Sequence, residues 1–419
     1  MARRVVVIGQ GYVGLPLAVR AAEVGFDVVG IDIDEHRVKL LNAGESYIDD
    51  IGDARLQAVS GRGTFRASFD FADAAGFDVC VITVPTPLLG DQPDLACVGA
   101  AAEAIAPHIR PGSIVVLEST SYPGTTEEML RPLLEAGSGL LARDGFHLGF
   151  SPERIDPGNP HWSFDNTPKV VSGIGPAALA AITEFYAALV QTVVPVSTPR
   201  TAELTKLLEN TFRAVNIALV NELATVARDL GTDIWEAVGA ASSKPFGFLP
   251  FTPGPGVGGH CLPIDPRYLS WQVERVTGAP LRMVELADEV NRAMPMHVIN
   301  RLAAGLAARG RTLCGSRVLL LGLAYKRNSS DLRESPAMEI AHDLFELGVA
   351  VHVVEPIAHP DTIPAEFSLV RLDAAEARAA DAVLVLTDHD CFDYELVARE
   401  AAYVFDTRNR CQGPSVELL

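Results

Sequence analysis

Short continuous runs of apolar residues recur along this chain, and they recur in two halves. Residues 5–8 are all Val or Ile, residues 318–321 are all Val or Leu, and each run is followed by a glycine. In each half a second apolar run ends on an acid, Asp32 in the first half and Glu355 in the second. Runs of this length without alternating polar residues are typical of strands buried on both faces of a parallel sheet. The pattern therefore predicts two related parallel sheets.

Ala- and Leu-rich stretches with helical spacing, such as residues 15–24 and 337–346, separate these runs. Strands that alternate with helices predict an α/β fold with two Rossmann-like, doubly wound domains. Between these domains, residues 201–230 keep helical spacing and contain neither Gly nor Pro. A helix of this length would extend roughly 45 Å. We expect this long central helix to join the two domains and to be well placed for a dimer interface.

Composition and charge narrow the class of protein. With 419 residues, of which 48% are hydrophobic and 21% charged, the chain is expected to fold into about two or three domains. Its net charge of −19 disfavours nucleic acids and anionic membranes as partners, because binding them depends on Lys and Arg. No apolar run approaches the roughly 20 residues of a membrane-spanning helix. A Gly-rich turn follows the first apolar run where a signal peptide would need a longer core, so we expect a cytoplasmic enzyme.

The first apolar run leads into Gly9-Gln10-Gly11-Tyr12-Val13-Gly14, a GxGxxG motif between a predicted strand and a predicted helix. In this context the glycines permit a tight turn and let a pyrophosphate approach the helix N-terminus. Asp32 closes the second predicted strand, where its carboxylate can accept hydrogen bonds from the adenosine ribose and repel a 2′-phosphate. We therefore favour NAD over NADP as the cofactor, although Arg37 nearby points the other way. Residues 322–326 of the second half lack the three glycines, which favours a different nucleotide there.

The densest functional signal is the Gly- and Pro-rich loop of residues 253–266. Its glycines are expected to leave the backbone open to a ligand and to place Cys261 on a flexible loop near a helix start, where N–H groups favour the thiolate. Cys261 is flanked by His260, and Asp265 lies four residues further on, so we interpret it as reactive. The other five cysteines are interpreted as small buried hydrophobic residues. No cysteine spacing matches a disulfide framework or a zinc site, and we predict no metal centre.

Lys206 and Asn210 are one helical turn apart on the predicted long helix, so their side chains share a face. A solvated surface pair is the plain alternative.

Taken together, these motifs make the chain resemble the UDP-glucose/GDP-mannose dehydrogenase family along nearly its whole length. The matching segments are Gly9 to Gly14, Val84-Pro85-Thr86-Pro87, Glu118-Ser119-Thr120, Ser151-Pro152-Glu153-Arg154, Lys206 with Asn210, Gly258 to Asp265, Gly322-Leu323-Ala324-Tyr325-Lys326 and Asp331-Leu332-Arg333-Glu334-Ser335-Pro336. Ile264 stands where the glucose branch more often has a lysine. Residues 151–159 and 253–261 also resemble the branch acting on UDP-N-acetylhexosamines, chiefly UDP-N-acetylglucosamine 6-dehydrogenases, and Ile264 supports that branch.

The resemblance implies that two NAD are consumed as the C6 alcohol of a UDP-sugar becomes a carboxylate. Lys206 would act as base or oxyanion stabiliser, and Asn210 would complete the oxyanion pocket. Cys261 would attack the aldehyde to give a thiohemiacetal, and a second oxidation would give a thioester. Glu153 or Asp265 would activate the water that cleaves this thioester; in the family pattern Glu153 does so, and Asp265 supports the lysine or the water. Thr120 would hold that water, although it could instead cap a helix, as Asp265 could instead fix its loop.

The family pattern also implies binding residues and an arrangement of domains. The expected cofactor contacts outside the glycine motif and the Asp32 region are Pro85, Thr86, Ser119, Thr120 and Arg333. The expected UDP-sugar contacts are Glu153, Arg154, Lys206, Asn210, Gly258, Tyr325, Lys326 and Arg408, with Lys244 as the counterpart of a basic residue that reaches into the neighbouring subunit. We expect an NAD-binding domain at residues 1–197, a central helical dimerisation domain at 198–300 and a UDP-sugar-binding domain at 301–419. The active protein would be a homodimer or a higher homo-oligomer.

Two rival functions remain. A simple two-electron dehydrogenase would also use the GxGxxG motif and a helical Lys/Asn pair, but it would have no need of Cys261. A non-catalytic nucleotide-sugar sensor would be expected to have lost part of the catalytic set, which is present here. Among substrates, UDP-N-acetylglucosamine is expected first, its mannosamine epimer second and UDP-glucose third.

Overall fold

A computed structural model gives the structure of residues 3–48, 50–90, 92–156, 159, 161–259 and 261–419. Two compact units are present. The first contains the residues up to Glu209 and a returning segment, Tyr268–Ala279. The second contains Asn210–Arg267 and Pro280–Leu419. Among the described residues, no helix combines the length and the apolar character needed to cross a bilayer.

The first unit is built on a six-stranded parallel sheet. Its strands, with a short hairpin and a two-stranded sheet, are β1 (Arg4–Ile8), β2 (Asp27–Ile31), β3 (Phe65–Ser68), β4 (Val79–Ile82), β5 (Leu88–Leu89), β6 (Gln92–Pro93), β7 (Ile114–Leu117), β8 (His147–Phe150), β9 (Lys169–Val171) and β10 (Val193–Pro195). The main sheet has the order β3-β2-β1-β4-β7-β8, so the strand order reverses direction beside β1. Ligands of such sheets bind outside the carboxyl ends of the strands at this reversal.

Helices cover the sheet of the first unit because the strands are apolar on both faces. They are α1 (Gly14–Glu23), α2 (Glu35–Ala43), α3 (Asp53–Gly61), α4 (Ala96–Ile105), α5 (Arg131–Ser138) and α6 (Pro176–Ala187), with shorter helical turns at Phe71–Ala74, Ala106–His108 and Thr125–Leu130. The buried faces of α1, α3 and α6 pack with β1 and β2 in one apolar core.

The predicted long helix is α7 (Pro199–Ala227). It ends three residues before the predicted end, and the chain then turns through Gly231, which has a positive φ of 67°. The next helices are α8 (Ile234–Ser242), α9 (Asp265–Thr277) and α10 (Arg282–Ala307). The last of these contains Pro295 within the helix.

The second unit repeats the sheet of the first. Its strands are β11 (Arg317–Leu321), β12 (Ala350–Val354), β13 (Ser368–Leu369), β14 (Ala382–Val385), β15 (Val404–Asp406) and β16 (Val416–Leu418), and its further helices are α11 (Pro336–Glu346), α12 (Ala374–Ala379) and α13 (Tyr394–Glu400), with a turn at Pro360–Thr362. The order is β13-β12-β11-β14-β15-β16, and the strands are parallel. The prediction of two Rossmann-like, doubly wound halves with a long central helix is confirmed.

Candidate active site

The glycine motif lies at the carboxyl end of β1, where α1 begins. A Cβ on Gly9 would lie 2.7 Å from the carbonyl oxygen of Thr83, and one on Gly14 would lie 1.8 Å from the carbonyl oxygen of Gly9. These two glycines are therefore required by the tight turn from strand to helix. A Cβ on Gly11 would meet nothing within 4 Å, so the backbone there is open to a ligand. This combination fits a pyrophosphate at the start of α1.

Asp32 occupies the position expected of the ribose-binding acid, directly after β2. Its Oδ2 accepts a hydrogen bond from the Gln10 amide at 2.8 Å, and its Oδ1 accepts one from the Asp34 amide at 3.0 Å. Arg37 lies beside it, with Nη1 3.8 Å from Asp32 Oδ2 and Nε 3.5 Å from Asp34 Oδ2. Since Arg37 is paired with these carboxylates, it presents no separate cation for a 2′-phosphate, and the residues fit NAD.

The other predicted cofactor residues of this unit follow the carboxyl ends of β4 and β7. The Thr86 carbonyl, just after Pro85, accepts a hydrogen bond from the Tyr268 hydroxyl at 2.9 Å. Ser119 Oγ donates to the Val84 carbonyl at 2.7 Å, which ties the two strand ends together. Thr120 comes next and is half-buried.

Residues Tyr12 and Val13 lie in the turn that leads into α1. Tyr12 packs against the core of the first unit.

Glu153 and Lys206 form a buried ion pair in the first unit. Lys206 Nζ donates to Glu153 Oε2 at 3.0 Å, and the two side chains are only 7% and 10% exposed. The other oxygen of Glu153 accepts a hydrogen bond from the Ile155 amide. The structure therefore brings together two residues that the sequence-based mechanism uses on the same carbon atom.

Arg154 follows Glu153 and turns toward α7. Its guanidinium donates to Glu209 and to the Pro168 carbonyl, the latter at 2.9 Å. In this arrangement the predicted substrate residue supports the segment that carries Glu153.

Cys261, Asp265 and Asn210 are linked in the second unit. Asp265 is the first residue of α9, and its amide donates to the Cys261 carbonyl at 2.8 Å. The side-chain amide of Asn210 donates to the Asp265 carboxylate. Cys261 is half-buried, whereas Cys80 and Cys411 are buried and Cys97, Cys314 and Cys391 are exposed. The expectation that the other five are all buried is therefore wrong for the three exposed ones.

Burial raises the pKa of Cys80 above its ordinary value and raises that of Cys411 to about 12, with the Asp406 carboxylate adding to the shift at Cys411. Both thiols therefore stay protonated and unreactive at neutral pH. His260, the predicted neighbour of Cys261, lies outside the described residues.

The glycines before Cys261 are packed against neighbouring chain. A Cβ on Gly258 would lie 2.4 Å from the Glu334 carbonyl oxygen, and one on Gly259 would lie 2.8 Å from the ring of Tyr325. Gly259 also has a positive φ of 84°. The sequence suggested an open, flexible loop, but at these two positions glycine is required by close approach. Gly258 and Tyr325, both predicted substrate residues, are thereby placed together.

Two further predicted binding residues of the second unit, Arg408 and Lys326, are half-buried. Arg408 follows β15 and donates from Nε to the Leu386 carbonyl at 2.7 Å. A Cβ on Gly254 would lie 2.8 Å from Arg408 Nη1, so the start of the cysteine loop passes beside this guanidinium. Lys326 has Nζ 5.9 Å from the centre of the Tyr325 ring.

Arg333 and Lys244, the predicted cofactor residue and the predicted intersubunit residue, each contact a side chain two residues away. Arg333 is exposed and forms a two-bond ion pair with Asp331, at 2.8 and 2.7 Å. Lys244 is exposed, with its ammonium 5.0 Å from the centre of the Phe246 ring.

Sequence reasoning missed two buried charged residues of the first unit. Lys169 is the first residue of β9. Nothing in the local sequence indicated that it would be buried, because it stands before an ordinary apolar run. Glu203 lies one helical turn before Lys206 on α7, which could have marked it. Its carboxylate accepts hydrogen bonds from the amides of Gly124, at 2.6 Å, and Thr126, at 2.8 Å. Burial raises the pKa of Glu203, although these amides favour its charged form.

Three domain profiles of one protein family match the chain in order. They are the NAD binding domain of the UDP-glucose/GDP-mannose dehydrogenase family at residues 3–190, the central domain at 200–293 and the UDP binding domain at 319–413. The chain belongs to the UDP-glucose/GDP-mannose dehydrogenase family. It is an NAD-dependent nucleotide-sugar dehydrogenase, and the predicted family and cofactor are confirmed.

Relatives of this family member cover nearly all of its length. It is 38% identical to the UDP-N-acetyl-D-mannosamine dehydrogenase of Escherichia coli K12, over 92% of this chain and 93% of that protein. It is 35% identical to the UDP-N-acetyl-D-glucosamine 6-dehydrogenase of Pseudomonas aeruginosa, over 93% and 91%. The solved structure of the UDP-D-ManNAc dehydrogenase of Pyrococcus horikoshii superposes with a TM-score of 0.89 at 31% identity, over 99% and 98%.

Proposed function

We propose that this dehydrogenase oxidises C6 of UDP-N-acetyl-D-mannosamine to the carboxylate in two steps through a thioester on Cys261. The sequence alone favoured the glucosamine epimer and kept mannosamine as the alternative. The relatives support that alternative better, since the Escherichia coli relative at 38% identity and the Pyrococcus horikoshii structure are both UDP-N-acetylmannosamine dehydrogenases. UDP-N-acetylglucosamine is the second candidate because the Pseudomonas aeruginosa relative acts on it. UDP-glucose is the third.

The first oxidation needs a group that takes the hydroxyl proton or holds the oxyanion. NAD, when bound, accepts the hydride that carbon releases in each of the two oxidations. Lys206 is our candidate for holding the oxyanion, because its ammonium is a donor that Glu153 keeps in place at 3.0 Å. Asn210, one turn further along α7, is the second donor to the same oxygen.

The proposed thiol step rests mainly on the hydrogen bonds that link Cys261, Asp265 and Asn210. Cys261 Sγ adds to the C6 aldehyde and forms a thiohemiacetal, whose carbon can lose a second hydride to give a thioester. The Asp265 carboxylate accepts a hydrogen bond from the Asn210 side-chain amide, and the Asp265 backbone N–H donates one to the Cys261 carbonyl. Asp265 therefore ties the thiol and the oxyanion donor to one helix start. A simple two-electron dehydrogenase would not need such a tie.

Hydrolysis of the thioester requires a carboxylate that orients or deprotonates water. We assign this role to Glu153, because its side chain is buried next to Lys206. We assign to Thr120 the role of holding the water. Asp265 is the positioning residue in this scheme, since its Oδ2 accepts a hydrogen bond from the Asn210 amide. The water supplies the oxygen of the new carboxylate, and the thiol is released.

Substrate binding by the UDP-sugar part is proposed to use Arg408 for phosphate, with Tyr325, Lys326 and Gly258 near the sugar nucleotide. A guanidinium offers phosphate a fork of donors. The assignment of Arg333 to the cofactor and of Lys244 to a neighbouring subunit also remains a proposal. So does the division into residues 1–197, 198–300 and 301–419.

A homo-oligomer is proposed because α7 carries exposed apolar side chains along its length. This apolar stripe comprises Leu204, Leu208, Phe212, Leu219, Leu223 and Val226. Each lies three, four or seven residues from the next, which is the spacing of one helix face. Exposed apolar surface of this extent favours association with another protein surface.

The test is NADH formation with the three UDP-sugars, with product mass measured in parallel. We expect two NADH per UDP-N-acetylmannosamine and a carboxylate product. Cys261→Ser should slow turnover by about 10³-fold or more while NAD still binds, and Cys97→Ser, at an exposed cysteine, is the control. One NADH per sugar with an aldehyde or ketone product would refute the thioester route. Faster turnover of the glucosamine epimer would reverse the sugar assignment alone.

A further inference from the structure

A buried ion pair in the first unit lies beside the two segments that carry Thr120 and Glu153. Lys169 Nζ lies 2.8 Å from Glu118 Oε2, and the two side chains are 5% and 0% exposed. Glu118 directly follows β7, and Lys169 is the first residue of β9. Taking two charges out of water is costly, so such a pair needs good geometry and further hydrogen bonds to be tolerated.

Glu118 is held from a second side. The Tyr186 hydroxyl donates to its Oε1, and Tyr186 is fully buried on α6. Burial and the Glu118 carboxylate raise the pKa of Tyr186 well above its ordinary value, so the hydroxyl keeps its proton and remains a donor. Glu118 is followed along the chain by Ser119 and Thr120. The Ser119 hydroxyl is fixed to the Val84 carbonyl, so the start of this segment is fixed at two points.

Lys169 reaches the other candidate segment through its second hydrogen bond. Its Nζ donates to the Pro152 carbonyl at 3.1 Å, and Pro152 immediately precedes Glu153. The ring of Tyr186 also lies 5.3 Å from Nζ. The Lys169 ammonium thus binds both the Glu118 carboxylate, two residues before Thr120, and the Pro152 carbonyl, one residue before Glu153.

We infer that Lys169, with Glu118, is a positioning residue that sets the spacing between Thr120 and Glu153 for thioester hydrolysis. The inference rests on the proposed role of Glu153. A lysine can do this because its ammonium donates in three directions, whereas a carboxylate and a carbonyl would otherwise face each other with no donor between them. The hydride steps do not use Thr120, and they depend on Glu153 only through its ion pair with Lys206. Loss of Lys169 should therefore slow the hydrolytic step more than either hydride step.

The experiment compares pre-steady-state NADH formation by four proteins, namely wild type, Lys169→Met, Lys169→Arg and the double variant Glu118→Gln/Lys169→Met. The double variant leaves no unpaired buried charge, so it separates misplacement of Glu153 from loss of stability. If hydrolysis becomes limiting, both Met variants should show a rapid burst of about two NADH per site, followed by a steady state slowed about 10- to 100-fold. Lys169→Arg should recover part of the steady-state rate.

Intact mass spectrometry supplies the second readout, because a protein limited by hydrolysis accumulates as the sugar acyl-enzyme. Arg301→Met is the matched control, since Arg301 also binds a carboxylate and a main-chain carbonyl, those of Glu417 and Leu418. It should lower thermal stability without producing a burst or an acyl adduct.

Glu153→Gln distinguishes failure of this inference from failure of the proposed function. If Glu153→Gln accumulates the acyl-enzyme but the folded double variant turns over at the wild-type rate, the positioning role is refuted and the function stands. If no variant, including Glu153→Gln, ever yields an acyl adduct, the thioester mechanism fails, and the inference fails with it. A double variant that is slow in both hydride steps would show a general structural role and would also overturn the inference.

Discussion

The sharpest structural prediction concerns Gly258, where the cysteine loop passes closest to its neighbours in the second unit. In Gly258→Ala the new methyl group would lie 2.4 Å from the Glu334 carbonyl oxygen, 2.7 Å from Pro336 Cδ and 3.0 Å from Tyr325 Cβ. The first two contacts are with main chain and a proline ring, which cannot rotate away. The loop must therefore move.

The required movement can be worked out from these distances. Ordinary contacts of a Cβ begin at 3.4 Å, so the contact of 2.4 Å with Glu334 calls for a displacement of about 1.0 Å. Cys261 is three residues further along the chain and is expected to move with the loop. A displacement of about 1 Å at reacting groups lowers rates about 10²-fold, which corresponds to about 2.7 kcal/mol in the activation free energy.

The assay is the steady-state rate of NADH formation with saturating NAD and UDP-sugar, together with the rate at which Cys261 is alkylated by iodoacetamide. Gly239→Ala is the matched control, because it is the same substitution in the same unit, on α8, with nothing within 4 Å of the new methyl group. In a helix interior this change should leave activity intact and stabilise the fold by up to about 1 kcal/mol. Gly258→Ala should reduce kcat about 100-fold and should also lower the melting temperature.

A folded Gly258→Ala protein with kcat within about threefold of wild type would refute the reasoning. Such a result would mean that the loop absorbs the methyl group without moving the thiol. Equal activity of Gly258→Ala and Gly239→Ala would point to the same conclusion.

Three further predictions follow from the site and from α7. Asp32→Asn removes the negative charge of the carboxylate that accepts a hydrogen bond from the Gln10 amide and, by our assignment, from the ribose hydroxyls. It should raise the KM for NAD about 10- to 100-fold with little change in kcat, and an unchanged KM would contradict that assignment. Burial raises the pKa of Glu203, so the folded protein holds that proton more tightly than the unfolded chain does. The stability from this group is present at low pH and falls as the pH rises from the ordinary carboxyl pKa through the raised one. Denaturant unfolding across that range should show the fall in wild type and lose it in Glu203→Gln. Leu219→Glu places a charge in the apolar stripe and should dissociate the proposed homo-oligomer, as measured by light scattering; an unchanged oligomer mass would exclude this face as the interface.

Much of the architecture was predictable from local patterns in the chain. The apolar runs at residues 5–8 and 318–321 became β1 and β11, each the third strand of a parallel sheet with the same order. The prediction succeeded because a strand that is buried on both faces must be apolar along its whole length, and this is visible in the sequence. The glycine motif and Asp32 were also predictable, since a tight turn and a strand end fix their relative positions within one βαβ unit.

The candidate catalytic residues were only partly predictable. Spacing on one helix related Lys206 to Asn210, but no spacing rule related Lys206 to Glu153, which comes from the end of β8 and forms a buried ion pair with it. The long helix was predicted to run to residue 230 and ends at Ala227, because helix ends depend on the turn that follows. The role of Cys261, Asp265 and Glu153 in the reaction stays a prediction until it is measured.

The sequence by itself determined the two parallel sheets, the long helix, the dinucleotide motif and the loop that carries Cys261, because each depends on neighbours a few residues away. Only the tertiary structure decided that Gly258 is needed for close packing against Glu334 and that Lys169 is buried between Glu118 and the Pro152 carbonyl. A lysine before an apolar run looks like an ordinary surface residue. Its burial depends on partners that are distant in the chain, and such contacts leave no periodic signal in a single sequence.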